Sequence, residues 1–275
     1  MQEILKAILL GVVQGLTEFL PISSTAHLRI IPSFFGWGDV GASYTAVIQV
    51  GTMIAIILYF RSDLMNMTTS MFRSIKTKDY SSKDTKLLLM IILGTIPIVI
   101  AGFLLKDIIR NEFRNMYIVA ASLIFFSIIL MIADRFTKKK YDINSIGFKD
   151  GIIIGIFQAM ALIPGASRSG STISGAFFRN MTREDAARFS FLLSIPAVLL
   201  SGVYELFSQR GTLLSGESAV LSLIIATVVS GVIGYWSIWF LLSYIKKHSM
   251  MLFVIYRIIF GALIIILLAT DIIHN

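Results

Sequence analysis

Apolar residues run along this chain in blocks of about twenty, the length that crosses the hydrocarbon layer of a bilayer, rather than in the narrow stripes of a soluble helix. Six such blocks fall at residues 43–60, 87–105, 117–133, 187–207, 219–244 and 251–269, and each predicts a spanning helix. They are continuous and rich in Leu and Ile, whereas a barrel needs many short strands of alternating character, so the pattern predicts an all-α polytopic membrane protein. Two further blocks, 4–20 and 151–163, end at Pro21 and Pro164 and turn into Ser- and Thr-rich sequence before a second short apolar piece. Polar, Pro-broken backbone at membrane depth is tolerated only where protein or a water-filled cavity covers it. Both blocks therefore predict re-entrant helix-loop-helix hairpins, over about residues 4–35 and 151–180, with an ordinary kinked span as the alternative for each.

The broken blocks hold matching places in the chain. Gly11-Val-Val-Gln14 and Gly155-Ile-Phe-Gln158 share a Gly-apolar-apolar-Gln pattern, each followed by proline, a serine-rich loop and three spans. This predicts a single integral membrane domain, 1–275, built of two halves, 1–146 and 147–275, with the site where the paired broken helices meet. Charge sets the direction of each half. The segments 61–86 and 135–149 and the pair Lys246-Lys247 are rich in Lys and Arg and are assigned to the cytoplasm. The first hairpin then enters from outside and the second from the cytoplasm, which is an inverted repeat. The loop carrying Lys106, Arg110 and Arg114 dissents, since this scheme puts it outside.

Composition removes several classes of function. With 56% hydrophobic and 15% charged residues and a mean hydropathy of +0.82, a soluble fold is excluded. A net charge of +8, from 24 Lys and Arg against 16 Asp and Glu, would suggest nucleic acid in a soluble domain. Here it resides mainly in short loops and reads as topology signal and contact with anionic lipid, with no nucleic-acid partner. The count of 0 cysteines rules out disulfides and thiolate chemistry, and 3 histidines make a His-rich metal cluster an unfavoured reading. The N-terminus lacks a basic leader and a small-residue cleavage site, so it is expected to be retained.

The chemistry lies in the two loops. In Gln14-Gly-Leu-Thr-Glu18-Phe-Leu-Pro21-Ile-Ser23-Ser24-Thr25-Ala-His27 a carboxylate, hydroxyls and an imidazole fall close together. Gln14 and Glu18, four apart, share one helix face. Ser23 or Ser24 can cap a returning helix whose N–H groups form an anion site, with His27 one turn further on. The second loop, Pro164 to Thr172, places Arg168 among Ser167, Ser169, Ser171 and Thr172, with Gly165 and Gly170 permitting close backbone approach. A guanidinium there binds two oxyanion oxygens at once and keeps its charge. The bland alternatives are an ion-paired or snorkelling Arg168, a Glu18 that merely partners it, and a satisfied interfacial His27. Arg257, inside the last block, is expected to pair with an acidic group or snorkel. This set of Glu, Ser, His and Arg suits hydrolysis of a phosphate ester or anhydride.

At these residues the chain resembles the undecaprenyl-diphosphatase family, also known as bacitracin-resistance proteins. The resemblance runs nearly end to end and rests on Gln14 to His27, on Pro164 to Thr172, and on Phe189-Ser-Phe-Leu-Leu-Ser-Ile-Pro-Ala197. It implies a bacterial plasma-membrane enzyme of six spans and two re-entrant hairpins that converts undecaprenyl diphosphate to undecaprenyl phosphate and inorganic phosphate at the external face. That recycles the lipid carrier of peptidoglycan synthesis and confers bacitracin resistance. It further implies Arg168 on the phosphate oxygens with Ser167, Ser169, Thr172, Ser23 and Thr25 around it, and a divalent cation, Mg²⁺ with Ca²⁺ as the alternative, held by Glu18 and Gln14. Ser24 is the implied nucleophile with His27 as its acid–base partner, attack by water or by His27 remaining open. Gln14 stands where many relatives carry glutamate, so Glu18 is expected to bear the larger share of the metal. The expected partners are the polyprenyl diphosphate and membrane lipids, with a homodimer as an open possibility. The rival function is a prenyl-phosphate transporter or flippase, since inverted repeats with meeting broken helices also serve alternating access. Ser24 and His27 discriminate, because a carrier has no chemical use for them.

Overall fold

The computed structural model describes residues 2–38, 41–110, 115–209, 211 and 217–273, so Arg114 lies outside the described residues. These form twelve helices: α1 Gln2–Phe19, α2 Ser24–Phe34, α3 Ala42–Tyr59, α4 Arg61–Thr77, α5 Lys83–Leu104, α6 Lys106–Arg110, α7 Met116–Phe136, α8 Phe148–Met160, α9 Arg168–Phe178, α10 Arg183–Ser208, α11 Glu217–Ile245 and α12 Met251–Ala269. Among the described residues there is no strand, only an isolated bridge between Tyr141 and Met181. By length and composition, α5, α7, α10, α11 and α12 can cross a membrane, and α3 makes a sixth when counted with α4, from which it is bent by 74°. The six apolar blocks therefore each become a helix of a multi-pass membrane protein.

Burial departs from that of a soluble protein, in that an apolar core is joined by buried polar groups and surrounded by exposed apolar ones. Gln14, Glu18, His27, Gln158, Ser171 and Arg257 are buried, while Phe103, Val232 and Ile259 are among the most exposed side chains. In lipid this is the favourable arrangement, because apolar surface needs no cover there and polar groups must find partners inside.

Without a hydrophobic drive between helices in lipid, close association relies on small residues. Helix α1 lies along α11 and α8 along α5. A Cβ at Gly11 would come within 2.6 Å of the Ala226 carbonyl oxygen, and one at Gly155 within 2.2 Å of the Gly94 carbonyl oxygen. Gly11 and Gly155, which open the two Gly-apolar-apolar-Gln tetrads, are thus each where a helix that ends ahead of a proline-containing turn packs closely on a long apolar helix.

The segment 61–86, expected as a basic loop, is mostly helix. Leu64, Met67, Met71 and Ser74 recur at helical spacing and turn inward, with Met67 and Ser74 buried, and Ser74 is hydrogen-bonded to Thr85 of α5 at 2.9 Å. Polar contacts gather the helix ends into two groups. At one end are Arg188 with Asp63, Arg183 and Lys139 with Asp134, Lys246 with Glu184, and Arg179 with Asp150. At the other, Ser43 Oγ donates to Glu205 at 2.8 Å and Lys6 stands over the Trp37 ring at 5.6 Å.

Candidate active site

Each broken block ends its first helix at a proline-containing turn and restarts in a short second helix. The residue before each restart, Ser23 (φ 73°) and Ser167 (φ 67°), is a non-glycine residue in left-handed conformation. Such residues carry a steric cost and persist only where their surroundings hold them. Ser167 Oγ accepts from the Gly170 N–H at 3.2 Å as a helix cap. Ser23 makes no cap bond, and its buried Oγ has no hydrogen-bond partner. Gly165 is required both by its φ of +94° and by space, since a Cβ there would lie 2.1 Å from Ser122 Oγ. Ser122 Oγ in turn donates to the Pro164 carbonyl, which anchors the second turn to α7. The two turns thus present Ser24 and Arg168 as the first residues of α2 and α9.

Glu18 joins them. Its Oε2 accepts from Gln14 Nε2 at 2.8 Å, from Ser24 Oγ at 2.7 Å and from Gln49 Nε2 at 3.3 Å, and its Oε1 is ion-paired with Arg168 Nη2. Ser169 Oγ, 3.2 Å from Ser167 Oγ, reaches the Leu20 carbonyl at 3.3 Å, a second link between the turns. Thr172 is hydrogen-bonded to Ser190 of α10. Between the turns, Glu18, Phe19, Arg168, Ser169, Ser190, Phe191 and Ser194 line a narrow cavity with room for about one water molecule. Thr25 is exposed on α2.

His27 is buried beside this site, and its hydrogen bonds lead away from Ser24. Nδ1 lies 2.7 Å from the Ser23 carbonyl oxygen and Nε2 lies 2.6 Å from Tyr256 Oη. A carbonyl only accepts, so Nδ1 carries a proton, and in the neutral ring Nε2 accepts from the tyrosine hydroxyl. The ring stacks on Phe260 at 4.4 Å between centroids. The Ser24–His27 pairing expected from sequence is therefore not the hydrogen bond formed, and the group facing the Ser24 hydroxyl is Glu18.

Arg257 corrects a second expectation. It neither snorkels nor pairs with a carboxylate: it is 0% exposed and donates to the carbonyls of Pro21, Gly165 and Ala166. Gln49, Ser190 and Tyr256 were missed by sequence reasoning. Gln49 is a lone amide in an apolar block, and Ser190 sits in the third stretch of resemblance without a role attached. Only the polar neighbour Arg257 could have drawn notice to Tyr256.

A model of the family described as bacitracin resistance protein BacA matches residues 7–263. The chain is 48% identical over 275 residues to an undecaprenyl-diphosphatase of Chloroherpeton thalassium, covering 97% of each chain. It is 45% identical over 272 residues to that of Chlorobium phaeobacteroides, covering 96% of each, and 46% identical over 276 residues to that of Prosthecochloris aestuarii, covering 98% of each.

Proposed function

The chain belongs to the bacitracin resistance protein BacA family, and from that membership we propose that it hydrolyses undecaprenyl diphosphate to undecaprenyl phosphate and inorganic phosphate. The observation that carries the reading is the meeting of Glu18 and Arg168 across two hydroxyl-lined turns. A guanidinium opposite two helix starts suits a diphosphate, and the carboxylate supplies proton transfer. In this reading the arriving diphosphate takes Arg168 from Glu18. Ser24 Oγ attacks the terminal phosphorus while its proton passes to Glu18 Oε2, already 2.7 Å away. The bond from that phosphorus to the bridging oxygen breaks, undecaprenyl phosphate leaves, and water releases phosphate from Ser24. Arg168, with the hydroxyls of Ser167, Ser169 and Thr172, meets the charge that grows on the terminal oxygens. His27 holds the Ser23 carbonyl and so the start of α2. The water-sized cavity beside Glu18 favours one other route, direct attack by a water that Glu18 deprotonates.

A divalent cation is part of the proposal. Among the described residues there is no cluster of three His, Cys, Asp or Glu, but Gln14 Oε1 is a buried oxygen with no partner beside the Glu18 carboxylate. One carboxylate and one amide oxygen fit a hard cation that takes its remaining ligands from substrate phosphates and water, the usual magnesium arrangement. When bound, it would neutralise diphosphate charge.

The two turns are proposed to lie at the ends of re-entrant hairpins related by an inverted repeat. The matched contacts of α1 with α11 and of α8 with α5 support this. So does the grouping of helix ends, which puts the start of α8 with the basic clusters and the start of α1 at the opposite end. We place the protein in the bacterial inner membrane with the reaction facing outward, where it would recycle the carrier and contribute to bacitracin resistance. The test is phosphate release from a C15 or C55 prenyl diphosphate by detergent-solubilised protein with Mg²⁺. Release is expected. A preparation that releases none yet moves a prenyl phosphate across proteoliposomes would instead be a transporter.

A further inference from the structure

Arg257 leads the largest fully buried side chains, yet it belongs to α12, far in sequence from both turns. Burying a guanidinium costs several kcal/mol unless its donors are satisfied, and here backbone carbonyls accept from both Nη nitrogens, while Nε has no partner. Nη1 donates to Pro21 O at 3.3 Å in the first turn, and Nη2 donates to Gly165 O at 3.0 Å and to Ala166 O at 2.9 Å in the second. These carbonyls lie just before the two left-handed residues, Ser23 and Ser167, from which α2 and α9 start. Room for the head group depends on the second turn as well, because a Cβ at Gly170 would stand 2.7 Å from Arg257 Nη1. The adjacent Tyr256 holds the first turn by another route, through His27 Nε2 at 2.6 Å and His27 Nδ1 to the Ser23 carbonyl at 2.7 Å.

We propose that Arg257, supported by Tyr256, is a positioning residue of the hydrolytic site. It ties the two strained turns to one rigid span and thereby sets the register of Arg168 against Glu18 and Ser24. A planar fork is suited to this because one head group reaches acceptors on both turns at once, which a point ammonium does less well. The proposal rests on the hydrolase reading for its kinetic consequences but not for its structural ones.

The experiment has two arms. In the first, Arg257→Lys is made in the wild-type and Arg168→Lys backgrounds. In the wild-type background kcat is expected to fall about 100-fold, the scale of a misplacement near 1 Å, with KM within about threefold. In the Arg168→Lys background the added loss is expected to stay below about threefold, since the register being set is that of Arg168. Equal losses in both backgrounds would overturn the proposal and reduce Arg257 to general stability. In the second arm the chain, which has 0 cysteines, receives nitroxide labels at Leu20→Cys and Ile163→Cys, one on each turn. The labelled parent should give a narrow distance distribution, and Arg257→Met and Gly170→Ala should both broaden it at intact thermal stability. An unchanged distribution would sink the proposal whatever the substrate. A broadened one in a chain that releases no phosphate would leave the clamp standing and remove only the hydrolase reading.

Discussion

Glu18 is held by donors from four helices: Gln14 on α1, Ser24 on α2, Gln49 on α3 and Arg168 on α9. A buried carboxylate gathered in this way is costly to disturb, so whatever displaces Arg168 must offer oxygens at least as good. A diphosphate does, and the exchange of one anion for another lets a closed site admit a charged substrate without leaving the guanidinium unpaired. Arg168→Lys is therefore expected to fold and to lose 10²- to 10³-fold in kcat, the scale of a removed oxyanion donor, measured as phosphate release per folded protein. Wild-type turnover would reduce Arg168 to a structural ion pair. Ser24→Ala discriminates at the next step. If Ser24 Oγ is the nucleophile, kcat falls far more than KM rises, whereas parallel changes would make it a binding hydroxyl and favour direct attack by water.

The tight approach of α8 to α5 is the clearest energetic statement at the level of elements. At Gly155 an added methyl would meet the Gly94 carbonyl oxygen at 2.2 Å, while at Gly102, on the same α5, the nearest atom is Leu162 Cδ2 at 4.0 Å. Gly155→Ala should thus cost about 1–3 kcal/mol through overpacking, and Gly102→Ala should be neutral or stabilising, as Ala is in a helix interior. Thermal unfolding in detergent reads both, and equal shifts would show that α8 does not depend on close approach. Elements were legible in the sequence wherever lipid imposes a length, so the apolar blocks and the prolines at 21 and 164 sufficed to draw spans and turns. Helix α4 was hidden because its inward stripe, Leu64, Met67, Met71 and Ser74, is short, and the exposed Arg61, Arg73 and Lys76 make the segment read as a basic loop. The candidate site was legible within each loop, where Gln14 and Glu18 are one helical turn apart. It was not legible across loops: Gln49, Tyr256 and Arg257 are single polar letters in apolar runs. Their direction depends on how each helix is rotated against its neighbours, which spacing alone does not specify.

Viewed entire, the molecule buries a set of polar side chains together with its apolar core and leaves many large apolar side chains exposed, and its helix ends fall into two groups. The end holding Asp63, Asp134, Glu184 and Asp150 also gathers the basic segments 61–86 and 135–149 and Lys246. Three basic clusters that are separate in sequence thus lie together in space, as expected if one electrostatic preference oriented the whole chain. The short α6 with Lys106 is the dissenting group, and the proposed orientation follows the overall Lys and Arg bias against it. The absence of native cysteines makes this directly measurable. In intact cells a membrane-impermeant maleimide should label Gly38→Cys and Ser208→Cys, and should label Lys76→Cys and Asn144→Cys only after permeabilisation. The reverse pattern would turn the molecule over, make the first hairpin enter from the cytoplasm, and remove the reason for placing the reaction outside. Labelling of all four from one side would contradict the spanning arrangement itself, because Ser208 ends the long α10 whose first turns hold Arg188 against Asp63 of α4, so α10 would then not cross the membrane.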